Sequence, residues 1–338
     1  MTEPTPDDRM PGPAADLIGS LVGEIDTVIA PLIPADRPVA LLDFPVYSNV
    51  GDSAIWLGAL ASLRRRGIRT LCYSCSFKNY SRRDLERRIG DGTIVLSGGG
   101  NFGDRYEPHQ RLREEVIAAF PNHRIVQLSQ SIWFRSGEAL DRSRRLLGRH
   151  RDLTLLVRDW DSLAIAKRDF AEVRSLLCPD LALGLGPLAN PRPHGDRIVW
   201  LSRADSESTG GGLRAPKGIE RRDWGLPPDA PHQRWLNRFH RRLRSHPSVI
   251  QWFYAPIARE RLRRGIALLA GSRCVITDRL HGHILCMLLG IPHFLLPNTN
   301  GKVRAFYETW TRSSSLVRWS DRESEALELA LAGRQESR

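Results

Sequence analysis

The chain of 338 residues carries 50 Lys and Arg against 38 Asp and Glu, a formal net charge of +12. No apolar run approaches the roughly 20 residues that span a bilayer, so no transmembrane helix is expected. The N-terminal residues lack a basic segment followed by an apolar one, which disfavours a signal peptide. The basic excess suits nucleic acid, an anionic membrane face or an acidic ligand. Only four basic residues are Lys, and no nucleic-acid-binding motif is present, so no nucleic-acid partner is expected.

Residues 1–16 contain several Pro and Asp and are predicted to form a disordered tail. After them, short apolar runs alternate with helix-length segments of mixed polarity, which predicts a doubly wound parallel sheet. The helices of this half include segments from about Ser53 to Arg66 and from about Arg82 to Ile89. The predicted strands are Pro38–Phe44, Arg69–Cys75, Thr93–Leu96, Arg124–Leu128, Thr154–Val157 and Val173–Leu176.

A Gly/Pro cluster from Leu183 to Arg197 is predicted to be a linker. A second alternating series follows it, with strands predicted at Arg197–Leu201, Val249–Phe253, Cys274–Thr277 and His293–Leu296. We therefore expect two Rossmann-like domains, 17–190 and 191–330, with a cleft between them.

Two segments of the second half are not predicted strands. Residues Ser202 to His232 show little periodicity, so they are interpreted either as a mobile lid or as a disordered loop. An amphipathic helix is predicted from Glu323 to Ala332, and residues 331–338 are expected to fray.

The five cysteines are an odd number, and several lie in predicted core elements. This usage is typical of buried thiols in a reducing cytoplasm. Cys72 and Cys75 form a C-x-x-C pair without a second pair, so buried thiols are favoured over a zinc or redox site. We expect a cytoplasmic protein without a metal.

The segment RCVITDRLHGHILCMLLGIPH, from Arg273 to His293, predicts a buried strand, a polar turn with Asp278 as helix N-cap, and a helix. His281 would lie in the first helical turn, where backbone N–H groups and the helix dipole attract anions. The predicted anion site at this carboxyl strand end comprises Arg279, Leu280, His281 and Gly282. The alternatives are a core histidine and a solvated arginine.

Other strand ends also offer polar residues. Asn49, Gly51 and Asp52 follow the first strand, although Asp52 is also a plausible helix cap. The Gly-rich turn after the third strand supplies Gly99, Gly100, Asn101 and Asp104. Its formal G-x-G-x-x-G match does not follow the first strand and has no acidic residue about 20 positions on, so a dinucleotide is disfavoured.

Later strand ends supply three further candidates. Trp133 is either a sugar-stacking residue or a core tryptophan, Arg158 ends a strand, and Arg203 follows the first strand of the second domain. Arg203 and Arg279 are suited to bind one small dianion between them, since guanidinium groups make forked hydrogen bonds. His281 and His283 are two residues apart and face different sides of a helix, so they do not suit one zinc ion.

Five segments occur in a fixed order along the chain: NVGDSAI, SGGGNFGD, RDWDS, SRADSE and TDRLHGHILCMLLGIPH. Together they resemble the polysaccharide pyruvyl transferases, enzymes of bacterial and fungal extracellular glycan synthesis. The similarity spans roughly Asn49 to Lys302, and DRLHG is its most specific part.

The resemblance implies a glycosyltransferase-B-like pair of Rossmann-type domains. It also implies transfer of pyruvate from phosphoenolpyruvate, a co-substrate, onto two hydroxyls of one sugar as a cyclic ketal, without a nucleotide, metal or other cofactor. By the same resemblance, phosphoenolpyruvate is held by Arg279, the backbone of Leu280, His281 and a further arginine that falls on Arg203.

This reaction needs an acid near the donor's methylene carbon and a base near the sugar hydroxyl. His281 is the expected acid, and Asp52 and then Asp104 are the expected bases. The acceptor is expected to be a sugar or a lipid-linked glycan, and a lipid-linked acceptor would bring the protein to the inner membrane leaflet. The alternatives are a nucleotide-sugar glycosyltransferase and a non-catalytic, Arg-rich anion or nucleic-acid binder.

Overall fold

The computed structural model describes residues 12–192, 195–202, 215–224, 238 and 247–333. Two parallel sheets with surrounding helices confirm the prediction of a Rossmann-like α/β protein. The first sheet contains seven parallel strands in the order β2-β1-β3-β5-β6-β7, with β4 paired to β5. These strands are β1 (Val39–Leu42), β2 (Tyr73–Cys75), β3 (Thr93–Leu96), β4 (Gly99–Phe102), β5 (Arg124–Ile132), β6 (Leu153–Val157) and β7 (Arg174–Leu177).

Six helices accompany this sheet. They are α1 (Gly12–Ile29), α2 (Val50–Arg65), α3 (Arg82–Ile89), α4 (Glu107–Ala119), α5 (Gly137–Gly148) and α6 (Trp160–Asp169). The central strands β1 and β3 are buried at every position, as expected for a parallel sheet covered on both faces. Ile94 on β3 aligns with Ala40 on β1 and with Ile125 on β5, so one apolar row crosses the sheet.

The first half departs from the sequence predictions at its beginning and at the Gly-rich segment. Helix α1 begins at Gly12 and buries Ala14 and Ile18, so the predicted disorder is wrong for the last residues of the 1–16 segment. The Gly-rich turn contains a fourth parallel strand, β4. Strand propensity does not predict it because two of its four residues, Gly99 and Gly100, and both flanking residues, Gly98 and Gly103, are glycines.

The second sheet is parallel throughout, in the order β12-β11-β10-β8-β9. Its strands are β8 (Arg197–Leu201), β9 (Ile219–Arg222), β10 (Ser272–Thr277), β11 (His293–Leu295) and β12 (Val317–Trp319). Its helices are α7 (Pro247–Leu269), α8 (Leu280–Leu289), α9 (Lys302–Phe306) and α10 (Glu323–Ala332). The α10 helix was predicted with the same limits, and Gly290 caps α8 in the left-handed conformation, with φ 68°.

Two predictions for the second half are wrong. Val249–Phe253 lies inside α7, because the residues that follow bury Tyr254, Ile257 and Ala258 at helical spacing. The aperiodic stretch from Ser202 to His232 includes the parallel strand β9, paired with β8. The rest of that stretch lies largely outside the described residues.

Each sheet is the centre of one compact unit. The first-sheet unit comprises Gly23–Gly184 and Leu226–Arg261, and the second-sheet unit comprises Met1–Val22, Leu185–Gly225 and Leu262–Arg338. Helices α1 and α7 therefore both contribute residues to the two units. The domain limits 17–190 and 191–330 stay a prediction.

The five cysteines are free thiols, four of them buried and Cys72 partly buried. Burial raises the pKa of Cys72 to about 11 and raises that of Cys75 further, so both thiols are protonated at neutral pH. Within the described ranges, no helix combines the length and apolar character needed to cross a membrane.

Arg158 forms a buried ion pair with Asp180 at the carboxyl end of β6. Its Nη1 lies 2.6 Å from the Asp180 carboxylate, and both side chains are at most 1% exposed. Its Nε also donates to Ser131 at 2.9 Å. The geometry therefore gives this candidate site residue a structural role in the interior.

Arg158→Gln should destabilise the protein by about 3–5 kcal/mol, because it leaves the Asp180 carboxylate buried without its counter-ion. Urea unfolding measures this loss. Arg124→Gln is the matched control, since the Arg124–Asp152 pair is solvent-exposed, and should cost less than about 1 kcal/mol. Equal effects of the two substitutions would contradict the structural role.

Candidate functional site

The turn between β10 and α8 is fixed by a threonine at the end of the strand. Thr277 Oγ1 donates to the Leu201 carbonyl of β8 at 2.9 Å and accepts from the Arg279 N–H at 3.1 Å. Arg279 has extended backbone angles and occupies the N-cap position, so the prediction of Asp278 as N-cap is wrong by one residue. Asp278 is instead buried in the turn.

The Arg279 side chain is largely buried and held by a carboxylate and an indole. Its Nη2 lies 2.5 Å from Asp223 Oδ1, and the guanidinium lies 5.6 Å from the ring centre of Trp224. Both partners directly follow β9, in the segment predicted to be a loop. Because Arg279 is only 8% exposed, the solvated-arginine alternative is wrong.

His281 is the second residue of α8 and is half-buried, whereas Leu285 and Leu288 on the same stripe are fully buried. The core-histidine alternative therefore does not describe its position. The first N–H groups of α8 have no intrahelical acceptor, so together with the helix dipole they form a positive end beside Arg279. Leu280 contributes its backbone there, since its side chain is buried.

Gly282 is required by packing. A Cβ at this position would lie 2.7 Å from Thr277 Oγ1 and 2.9 Å from Leu201 Cδ2. Such distances do not accommodate a side chain. The glycine thus brings the first turn of α8 against β8 and β10.

His283 belongs to a buried chain of hydrogen bonds. His293 Nδ1 donates to the Ile291 carbonyl at 2.9 Å, so its Nε2 accepts from His283 Nδ1 at 2.7 Å. His283 Nε2 in turn accepts from the Thr311 hydroxyl at 2.9 Å. Both imidazoles are neutral in this arrangement. No cluster of three or more metal-ligating side chains occurs in the part of the chain that the structure describes.

The carboxyl edge of the first sheet carries a buried aspartate–histidine pair that the sequence analysis missed. Asp43 directly follows β1 and has φ 72°, the single positive φ of a non-glycine residue in the described ranges. Such backbone strain is typical of functional positions. Both of its carboxylate oxygens lie 2.8 Å from His109 Nδ1 on α4.

The tautomer of His109 follows from this contact. A carboxylate only accepts, so Nδ1 carries the proton and Nε2 keeps its lone pair. The His109 ring meets the rings of Tyr47 and Phe77 edge to face, at 5.8 and 4.8 Å between centres. The pair is therefore an oriented imidazole with one basic nitrogen.

A network of side-chain amides and one arginine surrounds Asn101 on β4. Asn101 Oδ1 accepts from Arg113 Nη2 at 2.8 Å and from Gln130 Nε2 at 2.9 Å, and its Nδ2 lies 3.5 Å from Asp43. Burial lowers the pKa of Arg113 to about 10, which leaves it charged at neutral pH. The arrangement fixes the Asn101 amide group beside Asp43.

Asp52 does not cap α2. Asn49 is the N-cap, with its side-chain oxygen accepting from the Gly51 N–H at 2.8 Å. Asp52 is in the first turn and half-buried, and a Cβ placed on Gly99 would lie 3.5 Å from its Oδ1.

Asp104 has a structural function in the turn before α5. Its carboxylate accepts from the N–H groups of Arg135 at 2.9 Å and of Ser136 at 2.7 Å. Trp133, at the end of β5, is 41% exposed, so the core-tryptophan alternative is wrong. Arg203 lies outside the described residues.

The predicted residues thus fall into two groups. On the second-sheet unit the structure brings together Arg279, Leu280, His281 and Gly282. On the first-sheet unit, Asn49, Gly51 and Asp52 lie at the start of α2, and Gly99, Gly100 and Asn101 lie within β4.

The sequence profile described as "Polysaccharide pyruvyl transferase" matches residues 49–300. This is well over half of the chain and includes both groups of residues. The protein belongs to the polysaccharide pyruvyl transferase family.

Two relatives support this membership. The chain is 31% identical over 306 residues to Pyruvyl transferase 1 of Schizosaccharomyces pombe, covering 83% of this chain and 71% of that protein. It is 29% identical over 286 residues to EpsO of Bacillus subtilis, covering 82% and 87%. A crystal structure of a Klebsiella pneumoniae protein, 18% identical, has a TM-score of 0.61 over 89% of this chain and 99% of the other. The last likeness shows a shared fold.

Three residues of this pyruvyl transferase were missed by sequence reasoning: Asp43, His109 and Asp223. Asp43 was detectable as the charged residue at the end of the apolar run PVALLD. His109 and Asp223 carry no local signal, because their partners lie 66 and 56 positions away.

The buried histidines make stability depend on pH. Burial lowers the pKa of His293 to about 4, and burial with the neighbouring His293 lowers that of His283 well below its ordinary value. The unfolded chain therefore binds these protons first as the pH falls. Stability should be fully present above pH 6.5 and should decline as the pH falls towards 4, by on the order of 3 kcal/mol for His293.

Urea unfolding between pH 7 and 4 measures this decline. His293→Gln should flatten the curve, since the amide oxygen still accepts from His283 but does not titrate. His123→Gln, at a partly exposed histidine bonded to the Gly90 carbonyl, should keep the parental curve. A parental slope in His293→Gln would show that other groups cause the decline.

Proposed function

We propose that this family member transfers pyruvate from phosphoenolpyruvate onto two hydroxyls of one sugar, forming a cyclic ketal and releasing phosphate. The observation that supports this most directly is the positive end of α8, where Arg279 and His281 lie beside the N–H groups of the first helical turn. A small dianion with a phosphate and a carboxylate matches that arrangement. We further propose a glycosyltransferase-B-like arrangement of the domains and a cytoplasmic location.

The donor would be held through its acidic groups. Asp223 and Trp224 orient the Arg279 guanidinium, so the group loses little rotamer freedom when a ligand binds. The Leu280 N–H and Gly282 provide backbone contacts at the helix N-terminus. Arg203 remains our candidate for the second guanidinium.

The chemistry divides into two additions at one carbon. Protonation of the donor's methylene carbon by His281 makes the adjacent carbon electrophilic, and the first sugar hydroxyl adds to it as its proton passes to a base. The second hydroxyl then displaces phosphate from the same carbon and closes the ketal ring. The proton of the second hydroxyl leaves with the phosphate or enters solvent. The proton taken from the first hydroxyl by the base balances the proton that His281 gives to carbon.

We propose His109, oriented by Asp43, as the base. Its Nε2 carries the lone pair, and a carboxylate behind an imidazole stabilises the charged form that results. Asp52 is the alternative, since it lies in the same region and is half-buried. Asp104 is the least suited of the three, because its carboxylate accepts backbone N–H groups from Arg135 and Ser136.

The acceptor contacts belong to the same unit. Trp133, exposed and 6.0 Å from the Arg105 guanidinium, offers a face on which a sugar ring can stack. Asn101 is fixed by its network and offers an amide for sugar hydroxyls. We propose a sugar or lipid-linked glycan as acceptor and no nucleic-acid partner or cofactor.

The donor site is tested by phosphate release and by a pyruvyl mass gain on simple glycosides. His281→Gln should lower the rate about 100- to 1000-fold with the thermal midpoint unchanged. Arg279→Lys should weaken phosphoenolpyruvate binding at least about tenfold in calorimetry, because an ammonium group cannot make the forked contact.

Arg83→Lys is the control, since Arg83 is exposed on α3, and it should retain both rate and affinity. Stabilisation by a nucleoside diphosphate in place of phosphoenolpyruvate would instead indicate a nucleotide-sugar glycosyltransferase. Unchanged donor affinity in Arg279→Lys would remove this residue from the site.

The base is tested by the turnover number measured beside donor affinity. His109→Gln should lower the turnover number by about 100-fold or more, while donor affinity stays parental. Asp43→Asn should give a smaller loss, because Asn tolerates the positive φ but does not stabilise the imidazolium. If Asp52→Asn causes that loss of turnover and His109→Gln does not, the base is Asp52.

A further inference from the structure

A cavity of about 320 Å³ lies on the first-sheet unit, away from the residues discussed above. It is bounded by α2, by the segment that leads into β2, and by α7. Its lining includes three arginines, Arg64, Arg69 and Arg259, and two tryptophans, Trp56 and Trp252. The catalytic proposal uses none of these side chains, so the cavity needs an explanation of its own.

The three arginines bring positive charge to the cavity without local compensation. Arg64, Arg69 and Arg259 are exposed, and none has an ion pair or side-chain hydrogen bond with another described residue. Some other exposed arginines of the unit are paired, for example Arg65 with Asp26 and Arg82 with Glu86. An anion that binds in this cavity would therefore not have to displace a described carboxylate from these guanidinium groups.

Two buried polar atoms of the lining also lack partners. Trp56 and Ser74 are 1% and 3% exposed, and neither Trp56 Nε1 nor Ser74 Oγ has a hydrogen-bond partner in the described parts of the chain. A buried donor without an acceptor is costly and uncommon in folded proteins. An indole N–H can only donate, so the ligand that satisfies it must bring an acceptor oxygen.

The Trp56 ring cannot turn away to find another acceptor. It packs edge to face against Phe44 at 5.1 Å and against Tyr254 at 5.9 Å between ring centres. Phe44 and Tyr254 stack on each other at 4.1 Å. The direction of the indole N–H is therefore set by the aromatic core of the unit.

Most of the remaining lining is apolar and includes a highly exposed ring. Leu60, Leu71, Ala255 and Pro256 contribute aliphatic surface, and Trp252 is 76% exposed. A tryptophan with this exposure is typical of contact with an amphipathic partner or with a membrane interface. The cavity thus combines anion-binding groups with an apolar wall.

We propose that this cavity binds a phosphate group that carries an apolar substituent, as in the head of a lipid phosphate. The guanidinium groups, the Trp56 N–H and the Ser74 hydroxyl hold the phosphate oxygens, and Trp252 with its aliphatic neighbours covers the apolar part. The site does not depend on pyruvyl transfer, and its test uses binding alone.

Calorimetry on the full chain with water-soluble dihexanoyl phosphatidic acid tests the site. The double variant Arg69→Gln and Arg259→Gln should weaken binding by more than tenfold. Trp56→Phe, which keeps an aromatic ring and removes the N–H, should weaken it by about tenfold, as expected for one hydrogen bond to a charged group. Arg83→Gln, which removes one positive charge on α3 outside the cavity, should bind like the parent.

Two results would overturn the proposal. The first is equal affinity in the Arg83→Gln and the double arginine variants, or no binding at all. The second is that inorganic phosphate binds as tightly as the short-chain lipid and that Trp252→Leu leaves the lipid affinity unchanged. This result would show that the ligand does not use the apolar wall.

Vesicles distinguish the two sources of such a ligand. If the ligand is a membrane lipid, the chain should sediment with phosphatidylcholine vesicles that contain phosphatidic acid, and the double arginine variant and Trp252→Leu should not. If the lining substitutions weaken binding of the short-chain lipid but the parent chain does not sediment with vesicles, the site takes a soluble organic phosphate. Sedimentation that is equal for parent and double variant would contradict the site.

Discussion

The contact between Arg279 and Asp223 balances charge at the start of α8. A guanidinium beside the N-terminus of a helix adds its charge to the positive end of the helix dipole. The two positive groups repel each other unless an anion lies nearby. Asp223 supplies that anion at 2.5 Å, and it comes from the strand neighbouring β8 at the edge of the second sheet. The carboxylate keeps Arg279 oriented, and it is only partly buried, so it can share the guanidinium with an entering dianion.

This balance has a consequence for how the donor would be bound. A guanidinium has five N–H groups, and the Asp223 contact is made by Nη2 through Oδ1. Because the group is planar and carries several donors, it suits forked bonds to a phosphate or a carboxylate. A lysine at position 279 has a single charged nitrogen, and the contact with Asp223 would use it. The pair therefore explains why an arginine rather than any cation suits this position.

Local patterns predicted the framework of the site, and long-range contacts determined the rest. The β10–α8 segment was predictable because a buried β-branched run, a polar turn and a helix ending at Gly290 follow one another within 20 residues or so. The prediction of a strand at Val249–Phe253 was wrong because an apolar run of five residues is too short to show a period. The burial of Tyr254 and Ile257, at helical spacing, favours a helix there. Asp43 and His109 were not predictable as a pair, since only the folded sheet brings the end of β1 to α4.

The two histidines of the H-G-H motif show how helical geometry separates functions. His283 turns towards β11 and is enclosed with His293 and Thr311, where both imidazoles are neutral. His281, two residues earlier, is turned away from that core by about 200° around the helix axis and remains half-buried. Gly282 between them lets the first turn approach Thr277 and Leu201 closely. The same close packing that dehydrates His283 therefore fixes the helix end on which His281 is carried.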